Sequence, residues 1–76
     1  MPHVIVKLVS GRSEQQKHKL AEAVTQAVTS SLGLGEDAVS VSLEDFDAGE
    51  WTGKVYTPDI INGPGKLYKR PGYVPR

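Results

Sequence analysis

The stretch Val39–Asp45, VSVSLED, decides the fold. Val39, Val41 and Leu43 alternate with Ser40, Ser42 and Glu44, so one face of the segment is apolar and the other polar. A period of two over this length is the mark of a half-buried strand. Working back towards the N-terminus, Leu20, Val24, Ala27, Val28 and Leu32 fall on one helical stripe, with Glu14, Lys17, Lys19, Glu22 and Gln26 largely elsewhere. Ser13 and Gln16 have the spacing of a capping box at the start of that helix. Gly33 stands where a left-handed residue ends it. Further back, residues 3–9, HVIVKLV, are rich in β-branched side chains. Val4, Val6 and Leu8 lie on one face and Ile5 and Val9 on the other, so both faces read as partly covered. Strand, helix, strand is a β-α-β unit, with parallel strands and a right-handed crossover. The fold class is α/β, built as two layers.

Beyond Asp45 the chain changes character. Its last third holds four of the five prolines and five of the eight glycines. Thr57-Pro58-Asp59 predicts a helix start with proline at the first helical position. Asn62-Gly63-Pro64-Gly65 should break that helix, and a second short helical piece is expected over residues 65–70. The region reads as an ordered arm of loops and short helices.

Length and composition narrow the possibilities. Seventy-six residues make a single domain, residues 1–76. A chain this short buries only roughly 60% of the surface its unfolded form exposes. There is no cysteine to staple it or to bind zinc. Two strands and one helix leave open sheet edges and a bare sheet face. A homo-oligomer is therefore expected: a dimer pairing two β-α-β units into one four-stranded sheet, with a hexamer as the other option. Nine basic residues balance nine acidic ones without a basic patch, which argues against nucleic acid as a partner. No apolar run reaches membrane-spanning length, and no secretory signal is recognisable at the start, so a cytoplasmic protein is expected.

Motifs for familiar chemistries are missing. There is no Gly-rich phosphate loop, no nucleophile elbow and no cluster of metal ligands, since His3 and His18 stand on different elements. Four residues remain as candidates. Pro2 reads as a strand-start proline, or, once Met1 is removed, as a free secondary amine able to take up a proton. Arg12 reads as a turn residue or an anion fork, Ser40 as a member of the polar strand face or a site hydroxyl, and Trp51 as a core or interface aromatic or a pocket wall.

In order and in register, Met1-Pro2-His3, the apolar strand, Gly11-Arg12-Ser13, Glu14-Gln15-Gln16-Lys17, the Leu20, Val24, Val28 helix and the alternating strand carry a family likeness. From Pro2 to about Trp51 the chain resembles the tautomerase superfamily, in its 4-oxalocrotonate tautomerase group. Glu50-Trp51 and the ending Lys69-Arg70-Pro71-Gly72-Tyr73 resemble the slightly longer, dimeric phenylpyruvate tautomerase-like enzymes of enteric bacteria. The resemblance implies a cofactor-free isomerase. Its terminal Pro2 is the general acid/base, acting on small 2-hydroxy-dienoate or enolpyruvate-type acids. Arg12 matches the arginine that meets the substrate carboxylate, and Trp51 matches the pocket aromatic. Ser40 departs from the family, whose aligned residue in 4-oxalocrotonate tautomerase is a second arginine polarising the 2-oxo group. A hydroxyl there suits a monocarboxylate substrate better, with Lys54 or Arg70 as conceivable replacement cations.

Two rival readings keep the fold and change the function. Hydratases and dehalogenases of small unsaturated acids resemble these proteins, and need a carboxylate beside the proline, for which Glu44 or Asp45 stands at the strand end. A non-catalytic, dimeric interaction module follows if Met1 is retained and Pro2 stays an amide.

Overall fold

A computed structural model describes residues 1–75. Strand β1 runs His3–Val9, helix α1 Glu14–Leu32 and strand β2 Ser40–Phe46. Single 3₁₀ turns occupy Glu36–Ala38 and Ala48–Glu50, and a π-helical segment follows over Thr52–Ile61.

The start and end of α1 are fixed by its own residues. Ser13 Oγ accepts from the Gln16 N–H at 3.1 Å, and Gln16 Oε1 accepts from the Ser13 N–H at 3.0 Å. Both are donors that a helix start leaves unpaired. At the other end Gly33 adopts φ 69° and gives its N–H to the Thr29 carbonyl at 2.9 Å. That left-handed conformation costs a residue with a Cβ about 1–2 kcal/mol, and glycine almost nothing.

The strands pair in parallel, from His3 opposite Ser40 to Val9 opposite Phe46. Alternation puts Val4, Val6, Leu8, Val41 and Leu43 under α1, all half-buried. The opposite face carries His3, Ile5, Lys7 and Val9 beside Ser40, Ser42, Glu44 and Phe46. Here Ile5 is 53% exposed, so β1 is not covered on both faces within one chain. The apolar stripe of α1 is also narrower than the spacing predicts. Ala21, Val24, Thr25 and Val28 turn inward, while Leu20 and Leu32 stay exposed. Strand β2 begins one residue later than the alternation suggests, because the Val39 N–H closes the preceding 3₁₀ turn on Glu36.

The arm folds differently from the expectation. Pro58 does not open a helix; it lies inside one that begins six residues earlier. The π winding shows at its end, where the Asn62 N–H reaches the Thr57 carbonyl five residues back, at 3.0 Å. A proline in an α-helix interior removes one bond and pushes on the carbonyl four residues back. Five-residue spacing is a known local accommodation of such an irregularity. The expected helical piece over residues 65–70 does not form; these residues are bends and irregular chain. Flanking glycines and prolines leave it too short to repay helix nucleation.

Side chains pin the arm to the strand ends. Lys7 Nζ binds Asp59 at 2.5 Å. Trp51 meets Phe46 edge-on at 6.5 Å and donates its indole N–H to the Tyr73 hydroxyl at 2.8 Å. Tyr56 lies 5.9 Å from Tyr73, whereas Tyr68 is exposed. Among the described residues Val55 alone is a buried apolar side chain, 4% exposed.

Candidate active site

The four candidate residues separate into two groups. Pro2 and Ser40 stand together at the N-terminal end of the sheet, where the Ser40 N–H donates to the Pro2 carbonyl at 3.2 Å. Chain starts usually fray; this one is held by the first rung of the parallel ladder. Met1, directly before it, is fully exposed. Ser40 Oγ also lies 2.7 Å from His3 Nδ1. Both residues point away from α1, on the open sheet face.

Arg12 and Trp51 lie at the other end. Arg12 follows β1 in the turn that enters α1 and lines a cavity of about 210 Å³ with Leu8, Gln16, Lys17 and Leu20. Trp51 follows β2 and is held between Phe46 and Tyr73. The strands separate the two groups by about 20 Å. One protomer therefore does not bring Pro2 and Arg12 into a single site.

Of the other candidate charges, Asp45 and Lys54 have ion-pair partners. Lys17 reaches under α1 to Asp45 and also pairs with Glu14 at 3.7 Å. The hydrogen bond that Lys17 donates to Asp45 raises the Lys17 pKa above the ordinary lysine range. Asp45 thus sits on the helix side of the sheet, far from Pro2, and Glu44 stands opposite Lys7 at the same distant end. Lys54 binds Glu50 at 2.5 Å, which raises the lysine and lowers the carboxyl. Arg70 lines an apolar cavity of about 180 Å³ within the arm, beside Tyr56, Ile60 and Tyr73. Neither cation meets Ser40. A third cavity, about 270 Å³, opens between α1 and β2 at Glu14, His18 and Val41. Among the described residues no three His, Asp or Glu side chains are grouped to hold a metal. No helix there is long and apolar enough to cross a membrane.

Sequence reasoning missed two contacts: His3 with Ser40, and Tyr73 with Trp51. The first depends on register: strands read as 3–9 and 39–45 would start with His3 against Val39, and the start of β2 one residue later is what sets Ser40 there. The second depends on the path of the arm, for which the sequence carries no periodic signal.

Comparison with known proteins agrees with this architecture. The family described as tautomerase enzyme matches residues 2–55. A probable tautomerase of Xylella fastidiosa is 45% identical over 73 residues, 96% of this chain and 89% of that one. Tautomerase PptA of Cronobacter sakazakii is 32% identical over 74 residues, 96% of this chain and 97% of its own. A 2-hydroxymuconate tautomerase of Bacillus subtilis is 42% identical over 46 residues, 60% of this chain and 75% of its own. With a β-α-β unit, parallel strands and a family match across most of its length, the chain belongs to the tautomerase family of isomerases.

Proposed function

We propose that the enzyme ketonises small enol acids, of the enolpyruvate or 2-hydroxy-dienoate type, with Pro2 as the general acid/base after removal of Met1. The observation that carries this reading is the docking of Pro2 on the ladder, through the Ser40 N–H at 3.2 Å. A terminal residue so held presents its nitrogen at a fixed place, which proton transfer requires. A terminal amine ordinarily titrates near 8, and an apolar surrounding favours its neutral form. Pro2 nitrogen takes the proton of the enol hydroxyl; the C2–O bond becomes a carbonyl as the double bond shifts, and the same proton is returned to carbon. No electron leaves the substrate, so the reaction needs no redox partner.

Arg12 is the substrate-carboxylate fork, and Ser40 and Trp51 shape the pocket. Because Pro2 and Arg12 lie at opposite ends of one sheet, the reading takes the working unit to be a homo-oligomer. Two protomers paired antiparallel about a two-fold axis put the Arg12 end of one sheet beside the Pro2 end of the other. One relative is named for 2-hydroxymuconate, a dienol diacid. Arg12 as the one arginine among the four candidate residues, with a hydroxyl at Ser40, favours a monocarboxylate here.

The test is ultraviolet monitoring of phenylenolpyruvate ketonisation with protein shown by intact mass to lack Met1. Pro2→Ala, which leaves a primary amine, is expected to lower the rate by about a hundredfold or more. Protein retaining Met1 is expected to be inactive. An unchanged rate in either sample removes Pro2 from the chemistry.

A further inference from the structure

The contact between His3 and Ser40 has no role in the chemistry so far. His3 Nδ1 lies 2.7 Å from Ser40 Oγ, and the backbone of the same serine is tied to Pro2. Pro2, His3 and Ser40 form one hydrogen-bonded group at the end of the strands.

A serine hydroxyl owns one proton. If Nδ1 is bare, Ser40 gives that proton to the imidazole and offers a ligand only lone pairs. If Nδ1 carries a proton, the imidazole donates to Oγ and the hydroxyl proton is free to point elsewhere. In the imidazolium both ring nitrogens carry protons, so the second arrangement is enforced. The bond then has a charged donor, which makes it stronger and polarises the hydroxyl. An oxygen gaining negative charge is stabilised by a donor and repelled by lone pairs.

We propose that His3 is a positioning residue whose protonated ring turns the Ser40 hydroxyl into a donor to the 2-oxo oxygen of the substrate. The inference rests on the reading that substrate sits at Pro2 and Ser40. It brings positive charge to that oxygen through one intervening hydroxyl. The other charged groups on this sheet face are Lys7 and Glu44, four residues along the register, and Asp59 from the arm, which is bound to Lys7. Among the described residues none of them pairs with His3. The ring donates to Oγ whenever Nδ1 carries a proton, so a permanent donor at that position should serve as well.

The experiment measures kcat and KM for phenylenolpyruvate in Met1-free protein and its variants. Ser40→Ala and His3→Ala are each expected to cost about tenfold, and the double variant no more than either alone. His3→Asn places a permanent amide donor near the Nδ1 position. It is expected to recover most of the rate that His3→Ala loses, through kcat rather than KM. A rate in His3→Asn no higher than in His3→Ala, or additive losses in the double variant, overturns the role of His3 while leaving Pro2 intact. Full activity in Pro2→Ala, measured alongside, overturns both.

Discussion

Ser13 and Gln16 exchange two hydrogen bonds across one helical turn, and their contribution can be isolated. Ser13→Ala is expected to destabilise the fold by about 1 kcal/mol, read by urea unfolding, without altering the rate at saturating substrate. Trp51 offers a second test at this scale, because it is the single tryptophan. Its indole N–H is satisfied by the Tyr73 hydroxyl at 2.8 Å. Tyr73→Phe keeps the ring and removes the acceptor, so the indole turns to water. A red shift in emission and a loss of about 1 kcal/mol are expected. Unchanged emission would show that the arm does not rest on this bond. Legibility differs between these two cases for a physical reason. The Ser13 cap lies within four residues, and local spacing encodes it. The Trp51 and Tyr73 contact joins residues 22 apart through an arm of glycines and prolines, and His3 and Ser40 are 37 apart. Such pairs become readable only once register or chain path is known.

Strands and α1 were legible because each carries its own period and caps, whereas the segment Thr52–Ile61 was not. Its proline has the look of a helix start, and nothing in the spacing of Val55, Ile60 and Ile61 announces π winding. The segment is held at both ends by ion pairs with opposite pH dependence. Glu50 has its pKa lowered, first by the hydrogen bond from Lys54 and then by the Asp47 N–H. A lowered carboxyl contributes stability that is present above its unfolded pKa and lost as pH falls through the folded one. Lys7 has its pKa raised, first by the hydrogen bond to Asp59. A raised lysine contributes stability that is present below its unfolded pKa and lost as pH rises through the folded one. Trp51 emission should therefore be flat through neutral pH and change in both acid and alkali. Glu50→Gln should remove the acid change and keep the alkaline one. Gly63 closes the segment at close quarters, since a Cβ there would lie 2.1 Å from the Asp59 carbonyl oxygen. Gly63→Ala is expected to cost about 1–3 kcal/mol in thermal unfolding, because backbone rather than a movable side chain stands in the way.

At the scale of the whole molecule, surface is the quantity that decides. A folded chain of 8.2 kDa ordinarily exposes about 4,500 Å². This one exposes 5926 Å², roughly 1,400 Å² in excess. Its radius of gyration is 13.8 Å, against about 11 Å for a compact chain of this length. The extents, 40 × 30 × 18 Å, describe a slab one helix and one sheet thick. Its open face carries Ile5 at 53% exposure, and the arm adds Ile61 at 58% and Val74 at 80%. A stable interface buries about 800 Å² per partner, and an obligate one more. The excess thus matches what an obligate partner copy would cover, and the separation of Arg12 from Pro2 asks for the same copy. Sedimentation is expected to give at least twice the 8.2 kDa chain mass at micromolar concentration. Ile5→Lys, which puts a charge on the open face without touching Pro2, Arg12, Ser40 or Trp51, should weaken association by tenfold or more. Activity of that variant should fall on dilution in step with its sedimenting mass. A monomeric protein with full activity would sever the link drawn here, since one chain would then have to join residues about 20 Å apart along its own strands.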